Sequence, residues 1–81
     1  MIAEAVVWLL PEPLPPCTHG YKCRLFCGRA GQRIIGFGNE RGKGDHKNWL
    51  GGETRYEFTT LKQLLTDFET LIELERASDG D

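Results

Sequence analysis

The segment Asn39-Glu40-Arg41-Gly42-Lys43-Gly44-Asp45-His46-Lys47-Asn48-Trp49 gathers a carboxylate pair, a histidine, three cations, side-chain amides and an indole into eleven residues. An imidazole can move a proton near neutral pH, and a neighbouring carboxylate, here Asp45 or Glu40, can orient it or hold it charged. Arg41, Lys43 and Lys47 can neutralise phosphate oxygens, with Asn39 as a further polar contact and Trp49 as a surface on which a base can stack. Glycines at 42 and 44 let the backbone take positive φ and come close to a ligand. This is the equipment of a metal-independent phosphodiester cleavage. RNA brings its own 2′-hydroxyl nucleophile, so the protein needs only a base, an acid and cationic stabilisation of the pentavalent state. The expected site is therefore His46, Asp45 and Glu40 for chemistry and Arg41, Lys43, Lys47, Asn39 and Trp49 for substrate, with no metal and no cofactor. The alternative is a charged loop with one ordinary histidine, in which the indole closes the loop onto a sheet.

Other chemistries fit less well. Gly36-Phe37-Gly38-Asn39-Glu40-Arg41-Gly42 is one residue too long for a dinucleotide fingerprint, and no helical pattern follows it. Gly42-Lys43-Gly44 lacks the earlier glycine and the following Ser or Thr of a phosphate loop. Cys17, Cys23 and Cys27 cannot all pair within one chain and match no zinc or CxxC spacing. On one strand, Cys23 and Cys27 would stand about 13 Å apart, too far to share an ion. They read as small core residues, with Cys17 and His19 as polar members of a connector.

A chain of 81 residues supports one domain with a thin core, burying about 63% of its unfolded surface. That excludes doubly wound nucleotide folds. The expected boundaries are one domain over residues 1–77 and a disordered tail over 78–81. No stretch approaches the ~20 apolar residues of a membrane span, and no basic start or small-residue cleavage site marks a leader, so the expected address is the cytoplasm. Charge is unevenly spread: residues 20–49 carry a net +5, while residues 50–81 carry −5. The middle has the sign of a phosphate-approaching surface, and the end could attract a basic partner.

The elements that must hold the polar segment follow from pattern. Residues 2–10 read as a strand covered on both sides, stopped by Pro11, Pro13, Pro15 and Pro16. Alternation over 21–27 and 32–37, separated by a glycine turn, predicts an antiparallel hairpin. Residues 38–52, with five glycines between 38 and 52 and no apolar period, read as a long functional loop. Residues 55–59 read as a fourth strand with Tyr56 and Phe58 inward. Thr60 with Gln63 marks a helix start, and Leu61, Leu64, Leu65, Phe68, Leu71 and Ile72 form one apolar stripe. Its other face carries Asp67, Glu69, Glu73 and Glu75. The expected fold is α+β, β-β-β-β-α: a four-stranded antiparallel sheet with the C-terminal helix on one face. The first strand then keeps an uncovered apolar face, Val6, Trp8 and Leu10, for a partner or a homodimer.

The stretch GFGNERGKGDHKN followed by YEFTTLKQLLTDF resembles the TumE-type toxins of bacterial toxin–antitoxin systems, whose members carry a similar YDNERGKGDHRH segment, an aromatic strand and a helix ending LxxDF. VVWLLPEPLPPCTHGYKCRLFCGR is similar to the family's opening strand, connector and hairpin. The resemblance implies a small cytoplasmic toxin, RNA-directed and ribonuclease-like, neutralised by a helix-turn-helix antitoxin of the Xre type. Asn39 through His46 match the family's pattern. Phe37 replaces its tyrosine, Gly38 its aspartate and Asn48 its second histidine. These departures leave His19 as the only other imidazole, and open a second reading: a non-catalytic interaction module that keeps the toxin scaffold.

Overall fold

A computed structural model of the chain describes residues 2–13, 15–40 and 42–78, with the side chains of Glu40 and Ser78 outside the description. Five strands and one helix follow in order: β1 Ile2–Leu9, β2 Tyr21–Arg29, β3 Gln32–Glu40, β4 Gly44–Trp49, β5 Gly52–Arg55 and α1 Leu61–Ser78. The strands form one antiparallel sheet in the order β1-β2-β3-β4-β5. The α+β class and the single C-terminal helix are as expected, but the sheet has five strands where four were expected.

The difference lies between residues 38 and 59. The expected glycine loop is a pair of hairpins: β3 runs on to Glu40, β4 returns from Gly44, and β5 follows a two-residue turn. Leu50 and Gly51 both have positive φ, 53° and 84°, as do Ala30 and Gly31 in the β2–β3 turn, at 50° and 75°. Two consecutive left-handed residues make the turn that matches strand twist, so the glycines mark hairpin corners. β4 escapes hydrophobic-period reading because its sequence, GDHKNW, is polar on both faces. The expected strand at 55–59 contributes only Arg55 to the sheet, as the end of β5. The Tyr56 amide still donates to Asp45 O at 3.0 Å, and the chain beyond it has no strand structure up to the helix.

Register sorts the sheet into two faces. On the helix side lie Cys23, Leu25 and Cys27 of β2, opposite Phe37 and Ile35 of β3, and then Asp45, Lys47 and Trp49 of β4. The core is Cys23, Leu25, Cys27, Ile34, Ile35 and Phe37, closed by Leu64 and Phe68 of α1. Phe37 is central, with Tyr56 and Phe68 edge-on to its ring at 5.1 and 6.0 Å. Helix α1 starts as the capping pattern requires: the Gln63 amide donates to Thr60 Oγ1 at 3.0 Å, a cap worth about 1 kcal/mol.

The acidic outer face of the helix is corrected in two places. Asp67 turns toward the sheet, accepting from Tyr56 Oη and from Gln63 Nε2. Glu75 is buried between Trp49, whose Nε1 donates to it at 3.3 Å, and the guanidinium of Arg29 at 3.8 Å. Glu69 and Glu73 remain exposed.

Candidate functional site

Strand alternation separates the two residues expected to work together. Asp45 and His46 are neighbours in β4, so they point to opposite faces of the sheet. His46 lies on the face the helix does not cover, and is nevertheless only 9% exposed. It is opposite Gly38 in β3, and a Cβ at Gly38 would stand 3.4 Å from His46 Cε1 and 3.5 Å from Nε2. The outer edge of the imidazole therefore lies flat over the backbone of β3, a position that a side chain at residue 38 would contest.

The same row of the sheet continues to both sides. Arg24 pairs with Gly38, and Arg55 pairs with His46, so Arg24, Gly38, His46 and Arg55 form one line across β2, β3, β4 and β5. Lys22 and Phe26 flank Arg24 on this open face, and Arg33 lies 4.8 Å from the Phe26 ring centroid. Among the described side chains, the carboxylate facing His46 is Glu53, whose Oε1 is 3.8 Å from Nδ1. Lys43 Nζ holds that oxygen at 2.7 Å. This hydrogen bond lowers the Glu53 pKa, with the Lys43 charge and His46 adding to the effect. Glu53 thus stays ionised at neutral pH, placed to balance positive charge on the ring. Lys43, His46, Glu53 and Arg55 line a cleft at this end of the sheet that Asp45 and Cys17 also line, so the cleft reaches both faces.

On the helix side Asp45 serves a different imidazole. His19 Nε2 is 2.8 and 3.0 Å from its two carboxylate oxygens, and the ring stacks on Phe58 at 3.7 Å. The amide of Tyr21 donates to His19 Nδ1 at 3.2 Å, so Nδ1 is an acceptor and the neutral ring carries its proton on Nε2, donating to Asp45. Cys17, His19 and Asp45 offer ligand atoms within 4.8 Å of one another, a donor set that could suit zinc. The proton on Nε2 occupies the lone pair a metal would need, which makes this cluster a hydrogen-bonded latch pinning the connector to β4. Burial and the Asp45 charge raise the Cys17 pKa, so the thiol stays protonated beside the carboxylate.

Of the other expected site residues, Asn39 is corrected most sharply. It is 1% exposed, and its amide is used within the fold: Oδ1 accepts from the Cys23 amide at 2.7 Å and Nδ2 donates to Tyr21 O at 2.7 Å. Lys47 and Trp49 share the helix side with Asp45, away from His46, and the Trp49 indole is docked on Glu75. The Glu40 side chain and Arg41 lie outside the described residues. Lys43 and His46 both approach Glu53 Oε1. Arg24, Arg55 and Glu53 were missed: alternation over 21–27 already turned Lys22 and Arg24 away from the core, but only cross-strand pairing brings them to His46.

The fold and site together define a small α+β protein with a basic sheet face built around one histidine. A sequence profile described as toxin TumE matches residues 1–76, and the chain belongs to that toxin family. No curated protein and no solved structure matches it. Among the described residues no helix is long and apolar enough to cross a membrane.

Proposed function

We propose that the chain is the toxin of a bacterial toxin–antitoxin pair, acting on RNA in the cytoplasm through its open sheet face. The observation that carries this reading is the row Arg24, Gly38, His46, Arg55, in which an imidazole sits between two guanidinium-bearing positions on a face the helix leaves bare. The family resemblance adds to it. Of the three positions where this chain departs from the family's pattern, Gly38 and Asn48 fall on that same face, one opposite His46 and the other two residues along β4, while Phe37 lies in the core on the helix side. Chemistry that had used them would have used this surface.

The chemistry follows from the residues. Both imidazole nitrogens of His46 are buried in the unbound chain, so RNA binding must first uncover the ring; His46 Nε2 then takes the proton of a ribose 2′-hydroxyl, whose oxygen attacks the adjacent phosphorus. Arg24, Arg55 and Lys43 offset the added charge of the pentavalent state, and Glu53 balances the imidazolium that forms. The bond to the 5′-oxygen breaks, leaving a 2′,3′-cyclic phosphate, and the leaving oxygen takes its proton from solvent. The open face holds a single imidazole among the described residues, so this chain has a base and no second imidazole to act as acid.

Expression of the chain alone is expected to arrest growth and fragment cellular RNA, and co-expression of a helix-turn-helix antitoxin encoded beside it should restore both. Growth arrest with RNA intact would overturn the RNA assignment. In binding assays, Arg24→Ala and Arg55→Ala should each weaken affinity for single-stranded RNA and reduce the salt slope by about 0.7 for each phosphate that is no longer neutralised. An unchanged slope in both variants would remove the row from the interface.

A further inference from the structure

The two edges of the sheet are unlike. β5 is four residues long and charged at Glu53 and Arg55, the usual protection against edge pairing. β1 is eight residues long, with neither proline nor lysine and with Glu4 its one charge. Its outer backbone is unpaired within the sheet. Apolar side chains stand exposed along it, with Ile2 at 71%, Trp8 at 43% and Leu9 at 79%. Among the described residues Val7 is the one β1 side chain packed, partly, against the core, Val6 is half-buried, and every other side chain of β1 is exposed.

We infer that β1 pairs antiparallel with β1 of a second copy of this chain, about a two-fold axis through Val6, to make a continuous ten-stranded sheet. Parity restricts the choices. Directly opposed residues in an antiparallel pair share a face, and a two-fold axis normal to the sheet keeps the faces of both copies aligned. Opposed residues must therefore both be odd-numbered or both even-numbered. Centring on Val6 opposes Val6 to the partner's Val6, Ala5 to the partner's Val7 and Ala3 to the partner's Leu9, all apolar. Glu4 then falls opposite the partner's Trp8. On its own chain Trp8 pairs with Lys22, whose Nζ lies 5.7 Å from the indole centroid. The lone charge of each edge thus meets the ring that the other copy's lysine covers, a complementary arrangement. A register that opposes the two Glu4 residues would set like charges together.

This register also shapes the open face. Val6 belongs to the row of Arg24, Gly38, His46 and Arg55. With Val6 on the axis, that row runs unbroken into its copy, so both histidines face the same side with two arginine positions between them. Nine strand spacings separate the two outer arginine positions, about 43 Å. If the open face acts on RNA as proposed above, one strand can engage both copies; the dimer itself does not depend on that reading.

The test needs no RNA. The purified chain should sediment at twice the mass of one chain. Val6→Lys, which puts two cations at the axis on a half-buried position, should leave the circular dichroism spectrum unchanged and return the monomer mass. Under mild oxidation Val6→Cys should cross-link between copies, since opposed positions have the separation a disulfide requires. Ala5→Cys and Val7→Cys, each opposed to the other's position in the partner, should cross-link efficiently only when the two variants are mixed. A monomeric native chain, or cross-linking of Ala5→Cys alone in place of Val6→Cys, would overturn the proposal.

Discussion

Replacing His46 by glutamine should slow RNA cleavage by about 10²–10⁴-fold while leaving RNA affinity within a few-fold of the native chain, because a general base acts on rate. Glutamine keeps a polar group over Gly38 and so limits the disturbance to a ring that is 9% exposed. The opposite change is informative as well. Asn48 shares the open face with His46, two residues away on β4. Asn48→His supplies the second imidazole, able to protonate the leaving 5′-oxygen, and should raise the rate by at least about tenfold by the same general acid argument. Both effects are read from the appearance of 2′,3′-cyclic phosphate ends on a labelled oligonucleotide. An Asn48→His rate equal to native, with the fold intact, would mean that protonation of the leaving group is not what limits this chain.

The second large effect concerns stability. Asn39→Ala removes the acceptor for the Cys23 amide, in the interior, and the donor to Tyr21 O, which is part-buried. Each orphaned group costs about 1–3 kcal/mol, so the variant should lose roughly 2–6 kcal/mol in urea unfolding. In a domain of this size that lowers the melting temperature by more than about 10 °C. At a temperature where the variant remains folded, RNA affinity should be native, since the amide reaches no surface. A stable Asn39→Ala with weakened RNA binding would return Asn39 to the role of substrate contact.

What could be read in advance was whatever left an apolar period. Helix α1, the β2–β3 hairpin and the small-residue role of Cys23 and Cys27 all bury hydrophobic surface, and the period shows it. β4 was invisible because its two faces are satisfied by partners of other kinds: Asp45 by His19, Trp49 by Glu75, His46 by Glu53 and Gly38. Polar pairing of this sort has no periodic signature. The same reason hid the site's composition. Adjacency in sequence suggested that Asp45 orients His46, yet in a strand adjacency means opposite faces. The residues that share its row, Arg55 beside His46 and Arg24 beyond Gly38, are separated from it by 9 and 22 positions and are aligned with it only through register. His19 looked like a connector residue because its ring partner, Phe58, lies 39 positions away.

The most direct test is an amide nuclear magnetic resonance titration of the chain with a short single-stranded RNA. Shifts concentrated at Arg24, Gly36, Gly38, His46 and Arg55, with the amides of α1 unmoved, are what the open-face site requires. Shifts confined to the helix and the His19–Asp45 side, with that row silent, would contradict it.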